Sequence, residues 1–292
     1  MSEYIRRMAH VAMRVPDLDA SVAWATTVMG MRETERSDGV SYLTHKDCHH
    51  SLQYIASGQS QLDHIAMEAH DEAALDALAA RVRGEGLEIV ADTPQESGID
   101  RAIRFRGPQG HLIEVFTGMS SDGIVHTGQG IQPREFGHPM LTCGGDTAPT
   151  RALFEDVLGF RLSDDVGDGT LVFMRCNAQH HGIGIAKGPA IGLNHYAFGV
   201  QDIAVLAQLG EVLFKNGSKF IWGPGRHGAG ENLFTYHLDP AGCLVEYYAD
   251  IYVILDDDAY EPGYWKLEEG RFENKWGPGA PPEMQGTAIP QA

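Results

Sequence analysis

Gly192-Leu193-Asn194-His195-Tyr196-Ala197-Phe198-Gly199-Val200 is a short apolar run with one histidine and turn residues on both sides. Strand alternation puts His195, Ala197 and Gly199 on one face, and Asn194, Tyr196 and Phe198 on the other. Small neighbours on its own face leave room beside the imidazole, as a metal ligand with open positions needs. A lone histidine on an apolar strand is more often a satisfied core residue. The weight of this one therefore depends on what the rest of the chain repeats.

Working outward, the same order of elements recurs along the whole chain. Residues 8–13 read as a strand, 17–30 as an amphipathic helix capped by Asp17 or Asp19, and 41–44 and 51–56 as strands. A strand at 62–67, a helix at 71–84 and strands at 101–106 and 111–116 follow, the last two joined by a Gly-Pro-Gln-Gly turn. The second half gives a strand at 136–141, a helix at 148–158, and strands at 171–175 and 181–186. After the His195 strand come a helix at 203–216 and strands at 233–238 and 244–248. The expected fold is α+β: four βαβββ modules paired into two similar domains, residues 1–120 and 134–250. Residues 121–133 form the linker, and 251–292 an irregular covering tail.

Histidines and carboxylates keep step with the repeat. His10 precedes His64 by 54 residues, and His138 precedes His195 by 57. Glu114 follows His64 by 50, and Glu246 follows His195 by 51. His50 and His181 each stand 14 residues before the second histidine of their half. Two imidazoles and one carboxylate on three strands of a concave sheet make the 2-His-1-carboxylate set. That set suits Fe(II), or secondarily Mn(II), and leaves positions open. His138, His195 and Glu246 fit it. Glu246 alternates against Val245 on an apolar strand, and an inward carboxylate there needs a partner.

Composition narrows the function classes. The 292 residues hold 22 basic and 40 acidic side chains, a net of −18, which argues against nucleic acid or an anionic membrane as partner. No run has the length of a membrane-spanning helix, and residues 1–7 lead directly into strand-like sequence. Four scattered cysteines, Cys48, Cys143, Cys176 and Cys243, form no Cys-x-x-Cys pair. The expected setting is the reducing cytoplasm.

Gly225-Arg226-His227, then Leu233-Phe234-Thr235-Tyr236-His237-Leu238-Asp239-Pro240, then Leu244-Val245-Glu246 carry the most specific signal. Together with the ligand spacing they resemble the type I extradiol ring-cleaving dioxygenases of the vicinal oxygen chelate superfamily, over about residues 8–250. The resemblance implies a glyoxalase-like fold in which His138, His195 and Glu246 hold Fe(II). It further implies His181 as the acid–base residue, and His227 and Tyr236 as contacts to the substrate. The substrates would be an aromatic diol and O2, and the enzyme a homo-oligomer. The chemistry asks for such groups. A chelated catechol must lose a proton, and cleavage of an O–O bond needs a proton donor. A histidine with an ordinary pKa of about 6.5 can do both. His180 alternates to the opposite face from His181, unless a bulge swaps the two.

The first half keeps His10, His64 and Glu114, yet stepping back from Glu114 by the same ten and nineteen residues reaches Arg104 and Gln95. An arginine there disfavours a dication, so this half reads as a duplicated scaffold. Two other classes share the fold: a non-oxidative isomerase, epimerase or thiol transferase, and a binding protein without turnover. The first typically adds a second glutamate to the metal, and the second needs no such triad.

Overall fold

Four repeats of strand, helix and three strands build the chain in a computed structural model that describes every residue except 122, 124, 125 and 285. The first module is β1 (Ile5–Val15), α1 (Leu18–Thr27), β2 (Arg32–Ser37), β3 (Val40–Thr44) and β4 (Leu52–Ala56). The second is β5 (Gln61–Ala69), α2 (Glu72–Gly84), β6 (Ile89–Ala91), β7 (Ile99–Arg106) and β8 (Leu112–Met119). The third runs β9 (Glu135–Gly144), α3 (Ala148–Ala152), β10 (Arg161–Val166), β11 (Leu171–Arg175) and β12 (Ile183–Gly188). The fourth is β13 (Gly192–Gly199), α4 (Ile203–Lys215), β14 (Trp222–Arg226), β15 (Leu233–Leu238) and β16 (Leu244–Ala249).

Local chemistry sets these elements. Asp17, Asp71 and Asp202 each cap the following helix by accepting a backbone N–H of its first turn, satisfying donors a helix start leaves open. In the third module Thr147 at the cap position makes no such bond, Asp146 one residue earlier accepts the Ala148 N–H at 3.0 Å, and α3 passes after five residues into a π-turn over Leu153–Val157. β2, β6, β10 and β14 lie in stretches that sequence reading leaves between elements. β2 (Arg32-Glu33-Thr34-Glu35-Arg36-Ser37) has no apolar alternation, and β14 is rich in glycine and proline. Residues 122, 124 and 125 of the expected linker lie outside the described residues.

Each half forms one mixed sheet. The first has the order β2-β3-β4-β1-β5-β8-β7-β6; the second continues β14-β15-β16-β13-β9-β12-β11-β10. Two modules join in each half through antiparallel pairing of their first strands, β1 with β5 and β9 with β13. The tail is partly regular where an irregular cover was expected. β17 (Gly263–Trp265) extends the second sheet beside β10, and β18 (Ile289–Pro290) pairs with β13. One apolar core runs through both halves, with Tyr54 and Leu62 in the same cluster as Phe136, Leu193 and Tyr247. No helix among the described residues is long and apolar enough to cross a membrane.

Candidate metal centre

Strand register brings the site together. Ala197 of β13 pairs with His138 on one side and Glu246 on the other, so these two side chains flank a methyl group. His195 stands two residues earlier on the same face, and donor atoms of the three residues all lie within 4.8 Å of one another. His138 Nε2 is 3.1 Å and His195 Nε2 3.2 Å from Glu246 Oε2. All three side chains are buried. A β-bulge between Leu193 and His195 changes one expectation. Asn194, assigned by strict alternation to the opposite face, instead lines the same cavity and accepts a hydrogen bond from His195 Nδ1 at 2.8 Å. That bond turns His195 Nε2 toward the carboxylate.

The electrostatics suit a cation. Burial lowers the pKa of His195, with Glu246 opposing, so the imidazole stays neutral with a free lone pair. Burial works to raise Glu246, but His138 and His195 outweigh it and hold the carboxyl well below its usual range. A neutral imidazole at His195 and an ionised carboxylate at Glu246 are the protonation states metal ligands need. His195 Nε2 is buried without a hydrogen bond of ordinary geometry, aimed into the space beside Glu246. These residues fit a divalent ion with open positions.

Around the triad stand the other expected residues. The His181 ring packs 4.4 Å, centre to centre, from His138 and faces the cavity. Burial, with smaller contributions from the neighbouring histidines, holds its pKa well below 6.5. His180 lies behind it: the two Nδ1 atoms are 3.0 Å apart, and His180 Nε2 is 3.3 Å from Asp164 Oδ2. His227 Nε2 is 3.2 Å from the Tyr236 hydroxyl, and its other ring nitrogen bonds the Glu273 carbonyl. Burial lowers His227 to about 4 and raises Tyr236 well above 10.

A cavity of about 340 Å³ opens over these groups. Its apolar walls come from Phe173, Trp222, Phe272, Pro281 and Met284, and no Lys or Arg lines it among the described residues. Its outer wall is supplied by the tail, through Phe272, Glu273, Ala280, Pro281 and Met284. Sequence reading also missed Asn232, whose amide donates to Glu246 Oε1 at 3.1 Å. Its one signal is an amide just before an apolar strand.

The position in the first sheet corresponding to Tyr236 holds Arg104. Its guanidinium bonds Glu114 in the first sheet, and Glu96, one residue beyond Gln95, joins it there.

The chain is similar to known proteins over most of its length. A manganese-dependent 2,3-dihydroxybiphenyl 1,2-dioxygenase from Geobacillus genomosp. 3 is 25% identical over 297 residues, spanning 92% of this chain and 94% of its own. A metapyrocatechase from a Pseudomonas strain is 27% identical, over 83% of this chain and 85% of its own. Among solved structures, a Mn(II)-bound glyoxalase from Novosphingobium aromaticivorans superposes with a TM-score of 0.88 at 27% identity, covering 100% of this chain and 96% of that one. The family description "Glyoxalase/Bleomycin resistance protein/Dioxygenase superfamily" matches residues 7–115 and 136–247, the two sheets described above. With both halves matched over most of their length, the chain belongs to the Glyoxalase/Bleomycin resistance protein/Dioxygenase superfamily.

Proposed function

We propose that this protein is an extradiol dioxygenase. It opens the ring of an aromatic 1,2-diol beside the hydroxyl pair and places both atoms of one O2 in the product. The observation that carries this reading is the three-ligand centre beneath a cavity furnished with His181, His227 and Tyr236. His138, His195 and Glu246 would hold the metal. A divalent ion bound there supplies Lewis acidity that eases loss of the diol protons, together with open positions.

The chain's own residues supply the rest. His181, neutral and facing the cavity, takes one proton from the diol and returns it as the ring opens. Tyr236 donates a hydrogen bond to a catecholate oxygen and fixes the plane of the ring, while His227, whose Nδ1–H is given to the Glu273 carbonyl, accepts at Nε2 from the diol's remaining hydroxyl. Tyr236 keeps its proton and donates, since its pKa lies well above 10. Asn194 and Asn232 hold His195 and Glu246 in orientation.

The cavity walls select the substrate class. An apolar surround without a cation, and with Glu273 on its rim, favours a neutral, apolar ring substituent over an anionic one. Fe(II) is the ion the ligand set first suggests, and the manganese-dependent relative and Mn(II)-bound neighbour give Mn(II) equal standing. A glyoxalase-like isomerase is the competing reading. The centre has a single carboxylate ligand where that chemistry commonly uses two, which favours the diol.

The test is a substrate panel on protein loaded separately with Fe(II) and with Mn(II). With 3-methylcatechol and 2,3-dihydroxybiphenyl, a yellow ring-opened product should form with kcat/KM at least tenfold above that for 3,4-dihydroxyphenylacetate. A preference for the carboxylate-bearing diol would contradict the assignment of the pocket. Absence of product from every diol would contradict the reaction.

A further inference from the structure

The first sheet repeats the frame of the metal centre. His10 and Glu114 flank Ala66 as His138 and Glu246 flank Ala197. The His10 ring lies 5.5 Å from His64 and 4.4 Å from His50, against 5.6 Å and 4.4 Å for their counterparts. Behind His50 stands His49, Nδ1 to Nδ1 at 2.9 Å, with Glu35 beyond it, as His180 and Asp164 stand behind His181.

One register position differs in kind. Arg104 faces Glu114 across β7 and β8, where Tyr236 faces Glu246 across β15 and β16. Its Nε donates to Glu114 Oε2 at 2.5 Å and its Nη2 to Glu96 Oε1 at 2.7 Å. Glu96 enters from the loop before β7, and its carboxylate lies 2.9–3.0 Å from ring nitrogens of His10, His50 and His64. All these histidines and both glutamates are buried. A carboxylate therefore fills the space between the histidines, and a guanidinium adds a fixed positive charge beside it.

We infer that this cluster is a second divalent-metal centre held latent by Arg104. Two buried carboxylates require a cation nearby, and the guanidinium meets that need with a fixed geometry. A dication entering beside it would face a like charge in a low-dielectric interior. With the guanidinium gone, His10, His64, Glu96 and Glu114 present two imidazoles and two carboxylates, a donor set for Mn(II), Fe(II) or Co(II). This inference is independent of the reaction proposed for the other centre.

The experiment counts tightly bound Mn(II) on the full chain after loading and desalting, by metal analysis and by the EPR signal of the bound ion. Each Arg104 variant is compared with its parent, in the native background and with His195→Ala. The expected result is one additional ion per chain for Arg104→Met and none for Arg104→Lys. Arg104→Met leaves two carboxylates without their cation, so the charge-balanced pair Glu96→Gln with Arg104→Met is measured beside it. That pair keeps a His-His-Glu set and is also expected to gain one ion. Two ions in the unmodified protein would show an open site and overturn the inference. So would an unchanged count in the folded charge-balanced variant, or an added ion with Arg104→Lys.

Discussion

His195→Ala should abolish metal retention, because it removes one of the three proposed ligands, and no fourth candidate donor joins that group among the described residues. His181→Phe should keep the metal, checked by metal analysis, and lose at least a hundredfold in kcat. An active His181→Phe protein would pass the proton role to His180 or water. Tyr236→Phe deletes one hydrogen bond, about 0.5–1.5 kcal/mol or roughly a tenfold loss in kcat/KM at most for a neutral partner, and more for a charged catecholate. Away from the site, Asp239 is buried, accepting hydrogen bonds from the Tyr196 hydroxyl at 3.0 Å and the Cys243 amide at 2.8 Å. Burial pushes its carboxyl up from 3.8 to about 6. A pKa raised on folding gives stability that is present below pH 3.8 and lost as pH rises through 6. Two pH units correspond to roughly 3 kcal/mol. Urea denaturation from pH 4 to 7 should therefore show the native protein losing about that much relative to Asp239→Asn. A difference that stays flat with pH would contradict it.

Among the elements, the tail is the one with a function its sequence does not announce. Phe272 packs with Met140, Phe173 and Ala229 where the cavity meets residues 272–284. Phe272→Ala should raise KM for 2,3-dihydroxybiphenyl severalfold while metal content stays at the native value; an unchanged KM would remove the tail from the binding wall. The sequence showed β13, β9 and β16 clearly because each is an apolar run interrupted by one chemically expensive residue. The strands that escaped notice have physical reasons to do so. β2, β6 and β14 are sheet edges, where polar side chains, glycine and proline are tolerated and no alternation is enforced. The bulge at Asn194 and the entry of Glu96 were equally hidden. A bulge leaves no periodic trace, and Glu96 acts from a loop whose path only the assembled sheet defines. His181 could be picked out because His50 keeps step with it, and His227 and Tyr236 through the resemblance of their segments; side chains placed by loop geometry could not.

At the scale of the molecule, duplication explains both the fold and the asymmetry of the two centres. The halves share one apolar core, so calorimetry on the metal-loaded protein should show a single unfolding transition. Two resolved transitions would mean that the sheets melt independently. The same duplicated frame ends in two electrostatic states: an open cavity over three ligands in one half, and a closed salt-bridged cluster around Arg104 in the other. The net charge of −18 is a property of the whole chain and not of the cavity, so it gives no reason to expect an anionic substrate. The most direct test of the account joins metal content to oxygen consumption on a single preparation, using an oxygen electrode and 2,3-dihydroxybiphenyl. The account predicts one divalent ion per chain and one O2 consumed per diol, with both lost in His195→Ala and only the second lost in His181→Phe. A native chain that retained no ion, or consumed no O2 with its ion bound, would contradict it.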